Sequence, residues 1–570
     1  AILSATLTYN ISTDIIDIEG NFLIEVKEKI IDKNKFVQIE TDCNAVTGNY
    51  NDAALPASTK LLALPAYGNY QIEKIEYDYE EQKLQSKVLP HCYEDNISKI
   101  NNKYYETDTW FPKQIVKLNK PVIMRNNRFS QIRISAVQYN PAKNKLRIIK
   151  NLKLKLKLER DKNGNVLETR QKLASESFTK IAQSNILNYN RNSENENSRG
   201  SYLFIIPNNS QVEDKINTLA NWKNKLGYEC YIASLDLTGY STEQIKQYIQ
   251  NAYDNWQNPP EYVILCGDVT GNYTVPAYYV DGYLYPYAVS DHNYTLLAGN
   301  DYFPDIKIGR ISYQNLNSLS TVVNKIIAYE SNPYTDINWF QKALMCTVIY
   351  SSYTSARETK MLVRDKLFDY NYAVVDTFFS PYQIGMNNLT NMINSGYSMI
   401  NYRGFGSYDY WSSISGYMLT TDLVLNNLNN GYLMPMVTSI VCGGGDFAAD
   451  EASTCFGEAW LIAGSPSIPQ GAIGFIGPSE RDTKTPFNNA IDLGLYQGIA
   501  NENLHKCGEM LLRGKMELYM NYPDGHAWGD ATNSDQFYFY VYNLLGDPGL
   551  TVWTDIPKAI ELDFTEEISS

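Results

Sequence analysis

Val437-Thr438-Ser439-Ile440-Val441-Cys442-Gly443-Gly444-Gly445-Asp446-Phe447 runs apolar up to a cysteine and then breaks into three glycines. It closes an apolar stretch over 434–442, and stretches of the same kind recur at 262–266, 343–350, 372–378, 397–402 and 472–476. Near-continuous apolar strands of this kind are buried on both faces. Helical stretches separate most of them, and this alternation predicts a largely parallel α/β sheet with helices on both faces. In such sheets function collects at the carboxyl ends of the strands, where loops carry groups that the scaffold holds still.

Two strand ends stand out. A sulfur at Cys442, in a turn made by Gly443, Gly444 and Gly445, has unhindered backbone N–H groups around it that can converge on a developing oxyanion, which is the setting of a nucleophile. The bland reading is a small buried hydrophobe with glycines that merely let the chain turn, and residue type alone does not separate the two. The other end is Met399-Ile400-Asn401-Tyr402-Arg403-Gly404-Phe405-Gly406-Ser407, where glycines flanking Phe405 permit a sharp turn.

Upstream, the α/β pattern starts at Tyr202. Leu203-Phe204-Ile205-Ile206 reads as a strand, and Ser210-Gln211-Val212-Glu213 reads as a capping box opening an amphipathic helix. Before it, residues 181–200 include Ser193-Glu194-Asn195-Glu196-Asn197-Ser198-Arg199-Gly200, polar and without pattern, which predicts an exposed linker open to nicking. Residues 1–180 read as strand after strand. Leu152-Lys153-Leu154-Lys155-Leu156-Lys157-Leu158 alternates strictly and Asn163-Gly164 signals a turn, so an antiparallel all-β domain with one wet face is expected. The predicted division is a β domain over 1–180, the linker, two α/β subdomains over 201–340 and 341–555, and an acidic tail over 556–570. Leu550-Thr551-Val552-Trp553 is read as a strand-like exit, and no internal repeat is found.

At 570 residues the chain is too long for one core, and about three to four compact units are expected. With 63 acidic against 49 basic residues the formal net charge is -14, which argues against nucleic acid as the main partner and suits calcium. No apolar run reaches the roughly 18 residues that a membrane span needs. The eight cysteines, at 43, 92, 230, 266, 346, 442, 455 and 507, show neither zinc-ligand spacing nor a dense disulfide framework. Ala1-Ile2-Leu3-Ser4 lacks a charged leader, so a signal peptide is expected to be absent or removed.

The stretch 202–553 resembles the catalytic region of the gingipain family of cysteine peptidases, whose fold is caspase-like. The matching segments are Val263-Ile264-Leu265-Cys266-Gly267-Asp268, Gly299-Asn300-Asp301-Tyr302-Phe303-Pro304-Asp305, Ile308-Gly309-Arg310 and Leu545-Gly546-Asp547-Pro548. The nucleophile motif Cys-x-x-Gly-Asp-Phe is complete in Cys442 to Phe447. The histidine motif Asn-Tyr-x-Gly-His-Gly-Ser is matched by Asn401 to Ser407 everywhere except at Phe405, which stands where the resemblance puts the catalytic histidine. Leu55-Pro56 and Leu61-Leu62-Ala63-Leu64-Pro65-Ala66-Tyr67-Gly68 resemble the family's inhibitory propeptide.

This resemblance implies a secreted or cell-surface bacterial protein in zymogen-like form, with its N-terminal domain packed on the catalytic region and a polypeptide as substrate or partner. It implies Cys442 as nucleophile, the backbones of Gly406 and Gly443 as candidate oxyanion donors, and no organic cofactor. A structural calcium is implied in the 299–305 loop, with Asp301 and Asp305 as ligands. Two further departures concern a histidine-orienting acid, matched here by Tyr350, and an arginine-pocket acid, matched by Ala356. Arg199-Gly200 would be the processing junction.

A free thiol is only a few per cent thiolate at pH 7, and a neighbouring histidine raises that fraction and protonates the leaving amine. General acid–base catalysis is worth roughly 10²–10⁴-fold. The expectation is therefore an inactive or impaired peptidase homologue. The alternative is an active cysteine endopeptidase that draws a base from elsewhere, with His292 and His526 the foremost of the four histidines and His91 and His505 the others.

Overall fold

The computed structural model describes residues 6–31, 33–49, 51–91, 100–162, 164–168, 173–189, 197–282, 287–331, 337–349, 355–380, 386–413, 416–449, 454–525 and 534–558. From residue 201 the chain builds one ten-stranded sheet. Its order is Glu229–Ser234, Ser201–Ile206, Pro260–Cys266, Lys307–Ile311, Tyr542–Leu545, Gly474–Pro478, Met436–Ile440, Met399–Arg403, Lys342–Val348 and Val374–Ser380. Neighbours run parallel except Gly474–Pro478 against Tyr542–Leu545.

Burial on both sides explains the unbroken apolar runs. In the Ser201–Ile206 strand, Leu203 and Ile205 join a core with Ile245 and Ile249 of the Thr242–Asn255 helix. Tyr202, Phe204 and Ile206 join the opposite core with Val212 and Ile216 of the Ser210–Lys225 helix and Val322 of the Leu316–Ser331 helix. Successive side chains of a strand point to opposite faces, so each face needs its own helix. The expected α/β sheet with helices on both faces is present, and the antiparallel N-terminal region precedes it.

That N-terminal region holds two five-stranded antiparallel sheets. In the Lys145–Glu159 strand, Leu152, Leu154, Leu156 and Leu158 are buried while Lys153 and Lys157 are exposed, as strict alternation predicts. The partner strand Asn69–Lys83 is almost wholly exposed, and it supplies Glu73 to Lys155 at 2.8 Å across the wet face.

Three details depart from the sequence reading. The helix at 210 is capped by Asn209, whose side chain accepts from Gln211 N and Val212 N, because it sits one residue earlier in an extended conformation that the Ser210 reading missed. The expected linker is structured up to 189: the Glu176–Asn185 helix buries Ile181 and Ala182, and Leu187 N donates to Leu61 O at 2.9 Å. Residues 190–196 of that linker lie outside the described residues, as do Asn163 and the tail from 559. The final strand is Tyr542–Leu545, while Thr551 contributes only an isolated bridge to Lys506.

The N-terminal region packs on the later part of the chain. Leu61, Val122, Met124, Phe129 and Phe178 share a core with Phe303, Leu512, Met516 and Phe539. Polar contacts rim it: Thr59 Oγ1 donates to Met520 O at 2.8 Å, Gln131 Nε2 to Tyr519 O at 2.9 Å, and Arg133 pairs with Asp524 at 3.0 Å. Among the described residues no helix is long and apolar enough to cross a membrane.

Candidate active site

Sheet register brings the two singled-out strand ends together. Met399–Arg403 and Met436–Ile440 are parallel neighbours with Arg403 opposite Ile440. Each chain runs two residues further, to Phe405 and to Cys442, so these two leave the same sheet edge on strands about 4.8 Å apart. Glycines let the two loops interlock. A Cβ on Gly406 would lie 2.6 Å from Tyr410 O and 3.2 Å from Val441 Cγ2. Gly443 has φ +71°, and a Cβ there would lie 3.1 Å from Tyr408 N.

The Phe405 backbone is held firmly. Its carbonyl accepts from Tyr402 Oη at 2.6 Å and from Ser412 N at 2.8 Å. The Tyr402 ring stacks on Trp411 at 4.5 Å, and Trp411 Nε1 donates to Ser439 Oγ at 2.8 Å, tying this hairpin to the cysteine's own strand. Phe405 as a residue is 43% exposed.

Among the described residues the hydrogen-bond partners of the Cys442 sulfur come from Thr483. Thr483 N donates to Sγ at 3.4 Å, and Thr483 Oγ1 lies 3.3 Å away. Asn488 Nδ2 donates to that hydroxyl at 2.7 Å, and Tyr542 Oη donates to Asn488 Oδ1 at 2.5 Å. With a lone pair of Thr483 Oγ1 taken by Asn488, its hydrogen is free to point at the sulfur. Neither Thr483, Asn488 nor Tyr542 was legible as a site residue, because they come from a loop, a helix and the last strand.

The two oxyanion candidates fare differently. Gly443 N–H is already given to Glu480 O at 2.8 Å, which corrects the expectation that it faces the cleft. Gly406 pairs with Trp411, while Ser412 N bonds Phe405 O, so Gly406 occupies a non-hydrogen-bonded ladder position whose N–H points away from the partner strand.

The remaining motif residues build the scaffold behind the thiol. Asp446 pairs with Arg481 Nε at 2.8 Å, and Arg481 lies over the Tyr408 ring at 4.6 Å. Phe447 faces the guanidinium of Arg310 at 4.8 Å. Arg310, fully buried, grips Asp291 at 2.8 and 2.7 Å and the carbonyls of Gly267 and Val275. Beneath Phe405's strand, Lys360 bonds Asn401 and pairs with Asp492 at 2.5 Å. Burial pulls the Lys360 ammonium down to about 8 against the pull of Asp492.

The three described histidines are occupied elsewhere. His292 Nε2 sits 2.8 Å from Tyr302 O with its ring edge-on to Tyr540, and burial holds it well below the usual range. His91 is buried against Tyr522, where burial lowers it to about 4. His505 Nε2 bonds Asn503 Oδ1 at 2.6 Å. His526 and Tyr350 lie outside the described residues, and Ala356 is buried in the first turn of the Ser355–Asp369 helix. The seven described cysteines are all free thiols.

Arg199 and Gly200 are tied to the α/β region. Arg199 Nη1 donates to Leu226 O at 3.0 Å, and a Cβ on Gly200 would lie 2.1 Å from Glu261 Cβ.

Asp301 and Asp305 do not fit a calcium site. Asp301 Oδ1 accepts from Phe303 N at 2.7 Å, and its Oδ2 accepts from Ile123 N at 2.8 Å and Asn165 Nδ2 at 2.6 Å. Asp305 Oδ1 accepts from Arg125 N at 2.6 Å, and its Oδ2 from Leu297 N and Ala298 N, each at 2.7 Å. A hard cation needs oxygen lone pairs turned inward. Here all four oxygens face N–H groups, whose positive ends would oppose a cation. Among the described residues no group of three or more acidic, histidine or cysteine side chains is arranged to hold a metal.

Comparison with known proteins agrees with this architecture. Peptidase family C25 matches residues 195–553, and Propeptide_C25 matches residues 16–195. Gingipain R2 of Porphyromonas gingivalis strain W83 is 25% identical over 90% of this chain and 69% of its own length. A gingipain R1 of the same species is 24% identical over 90% of this chain and 51% of its own length. The crystal structure of the Arg-specific cysteine proteinase gingipain R superposes with a TM-score of 0.56 at 22% identity, covering 65% of this chain and 82% of that one. The complex of Porphyromonas gingivalis RgpB pro- and mature domains gives 0.55 at 22% identity, over 63% of this chain and 81% of that one. Matched over most of its length and alike in fold, this chain belongs to peptidase family C25, as a gingipain-like cysteine peptidase with a propeptide-like N-terminal domain.

Proposed function

We propose that this protein is a secreted, zymogen-like member of the family whose Cys442 is a retained nucleophile without its acid–base partner, so that peptide hydrolysis is abolished or severely impaired and the protein acts by binding polypeptide. The carrying observation is Phe405, which leaves the sheet beside Cys442 at the position where the family motif has histidine. A phenyl ring takes no proton from a thiol and gives none to a leaving amine, and both transfers are needed for acyl transfer from an amide. Thr483 supports a reactive sulfur through its N–H and hydroxyl, but it offers no titrating group at neutral pH. The expected chemistry is stoichiometric: alkylation at Cys442 without turnover.

Incubation of the full chain with a peptide library, with and without iodoacetamide, tests this. The expected result is one alkylated thiol at Cys442 and no cleavage above that of Cys442→Ala. Cleavage that Cys442→Ala abolishes would overturn the proposal and leave an active endopeptidase drawing its base from elsewhere in the fold.

A further inference from the structure

Where a cation does not fit, something else does. The hairpin of Val122–Met124 with Asn127–Ser135 turns through Arg125, which has φ 56° and is 2% exposed. Arg125 comes from the propeptide-like region and is enclosed by the peptidase region. Its backbone N–H goes to Asp305 Oδ1 at 2.6 Å. Its Nη1 donates to Asp305 O and Pro260 O, each at 3.0 Å, and its Nη2 lies 3.6 Å from Glu261 Oε2. The guanidinium lies between the rings of Phe178 and Tyr253, 5.7 and 5.5 Å from their centroids. Glu261 Oε1 also accepts from Lys307 at 2.9 Å and from Ser175 at 2.8 Å, so two cations share one buried carboxylate. Asp301 completes it from the side by accepting from Ile123 N.

We propose that the Asp301–Asp305 loop and the Glu261 socket form an anchor that holds the N-terminal domain through its own 122–125 segment, in place of a metal ion and independently of the Cys442 cleft. Three facts carry this. Six N–H donors converge on the two carboxylates, and three of them, Ile123 N, Arg125 N and Asn165 Nδ2, belong to the N-terminal domain. The arginine is desolvated and its Nη1 is directed at two peptidase-region carbonyls while Nη2 faces Glu261, and a buried arginine of this kind is the contact that tends to dominate an interface. The socket is also remote in topology from the thiol. Pro260 and Lys307 open their strands, whereas Cys442 follows the end of its own. Events at the cleft therefore leave this contact intact, whether or not the chain cleaves peptides.

The test uses the full chain. Hydrogen exchange is followed at the Ile123 and Arg125 amides in the wild type, Arg125→Ala, Arg125→Lys and Asp301→Asn, with Cys442 alkylation as a distal readout. The expected result is exchange at these amides faster by roughly tenfold or more in Arg125→Ala, the worth of about one hydrogen bond to a charged group. Arg125→Lys is expected to be intermediate, with alkylation of Cys442 unchanged. If Arg125→Ala does not fold, Arg125→Lys and Asp301→Asn carry the comparison. Unchanged exchange in the variants that fold would overturn the anchor. So would a calcium-induced rise in the melting temperature of the wild type, at about 1 mM, that Asp301→Asn removes.

Discussion

Replacing Phe405 by histidine asks whether one side chain separates this protein from catalysis. The perturbation is local, because the Phe405 carbonyl is fixed by Tyr402 Oη and Ser412 N and the residue is 43% exposed, so an imidazole can be accommodated without disturbing the core. Register supplies the reach: with Arg403 opposite Ile440, residues 405 and 442 leave neighbouring strands in step. Acid–base assistance of roughly 10²–10⁴-fold corresponds to about 3–5 kcal/mol of barrier at 1.36 kcal/mol per decade. Phe405→His is therefore expected to raise the pH 7 alkylation rate of Cys442 and to produce peptide cleavage at least about a hundredfold above the parent. Cys442→Ala in the same background should abolish that cleavage. The assay is release of a fluorogenic peptide product alongside iodoacetamide kinetics, with the melting temperature as a folding control. A folded Phe405→His protein with parent-level alkylation and cleavage would refute the argument that the missing imidazole is what limits this site.

Two further outcomes follow from the site and the anchor. Thr483→Val removes the hydroxyl near the sulfur but keeps the N–H, and is expected to slow Cys442 alkylation at pH 7 by up to about tenfold, with Thr483→Ser close to the parent; equal rates in all three would remove Thr483 from the account. Burial pushes the Asp305 carboxyl up to about 8 and Asp301 up to about 6, more strongly than their N–H donors pull them down. The folded state thus holds more protons than the unfolded one between about 4 and 8, and its stability falls as pH rises through that window. The charged groups that face Asp305 are Arg125, Lys246 and Asp301. Amide exchange at 122–125, corrected for its intrinsic pH dependence, should accelerate from pH 6 to pH 9 in the parent and change less in Asp305→Asn. A flat parent profile would contradict it.

The sheet was legible because its strands are buried on both faces and so lack polar interruption, and because Cys442 and Phe405 each end such a strand. What escaped was long-range. The sulfur's partner, Thr483, lies in the loop before the Thr485–Glu502 helix, and nothing local to Ser479-Glu480-Arg481-Asp482-Thr483 distinguishes it. Asn209 was passed over for Ser210 because both are good caps and only backbone geometry chooses between them. The 181–189 segment was read as linker because its few apolar residues, Ile181, Ala182, Ile186 and Leu187, bury themselves against partners distant in sequence. Asp301 and Asp305 have oxygen-rich spacing suited to a cation, and only the approach of Arg125, far away in sequence, shows why N–H groups occupy that space.

The strand Tyr542–Leu545 lies between Lys307–Ile311 and Gly474–Pro478, pairing with Arg310 on one side and Phe475 on the other. The two halves of the sheet therefore stay unjoined until residues 542–545 have been synthesised. Each half then presents an unpaired edge, the kind of surface on which chains associate wrongly. The propeptide-like domain precedes both halves in the sequence and contacts residues on both sides of that gap, Asp305 before it and Tyr519 and Met520 after it. The N-terminal domain is thereby placed to hold the two halves in register while the late strand is inserted between them.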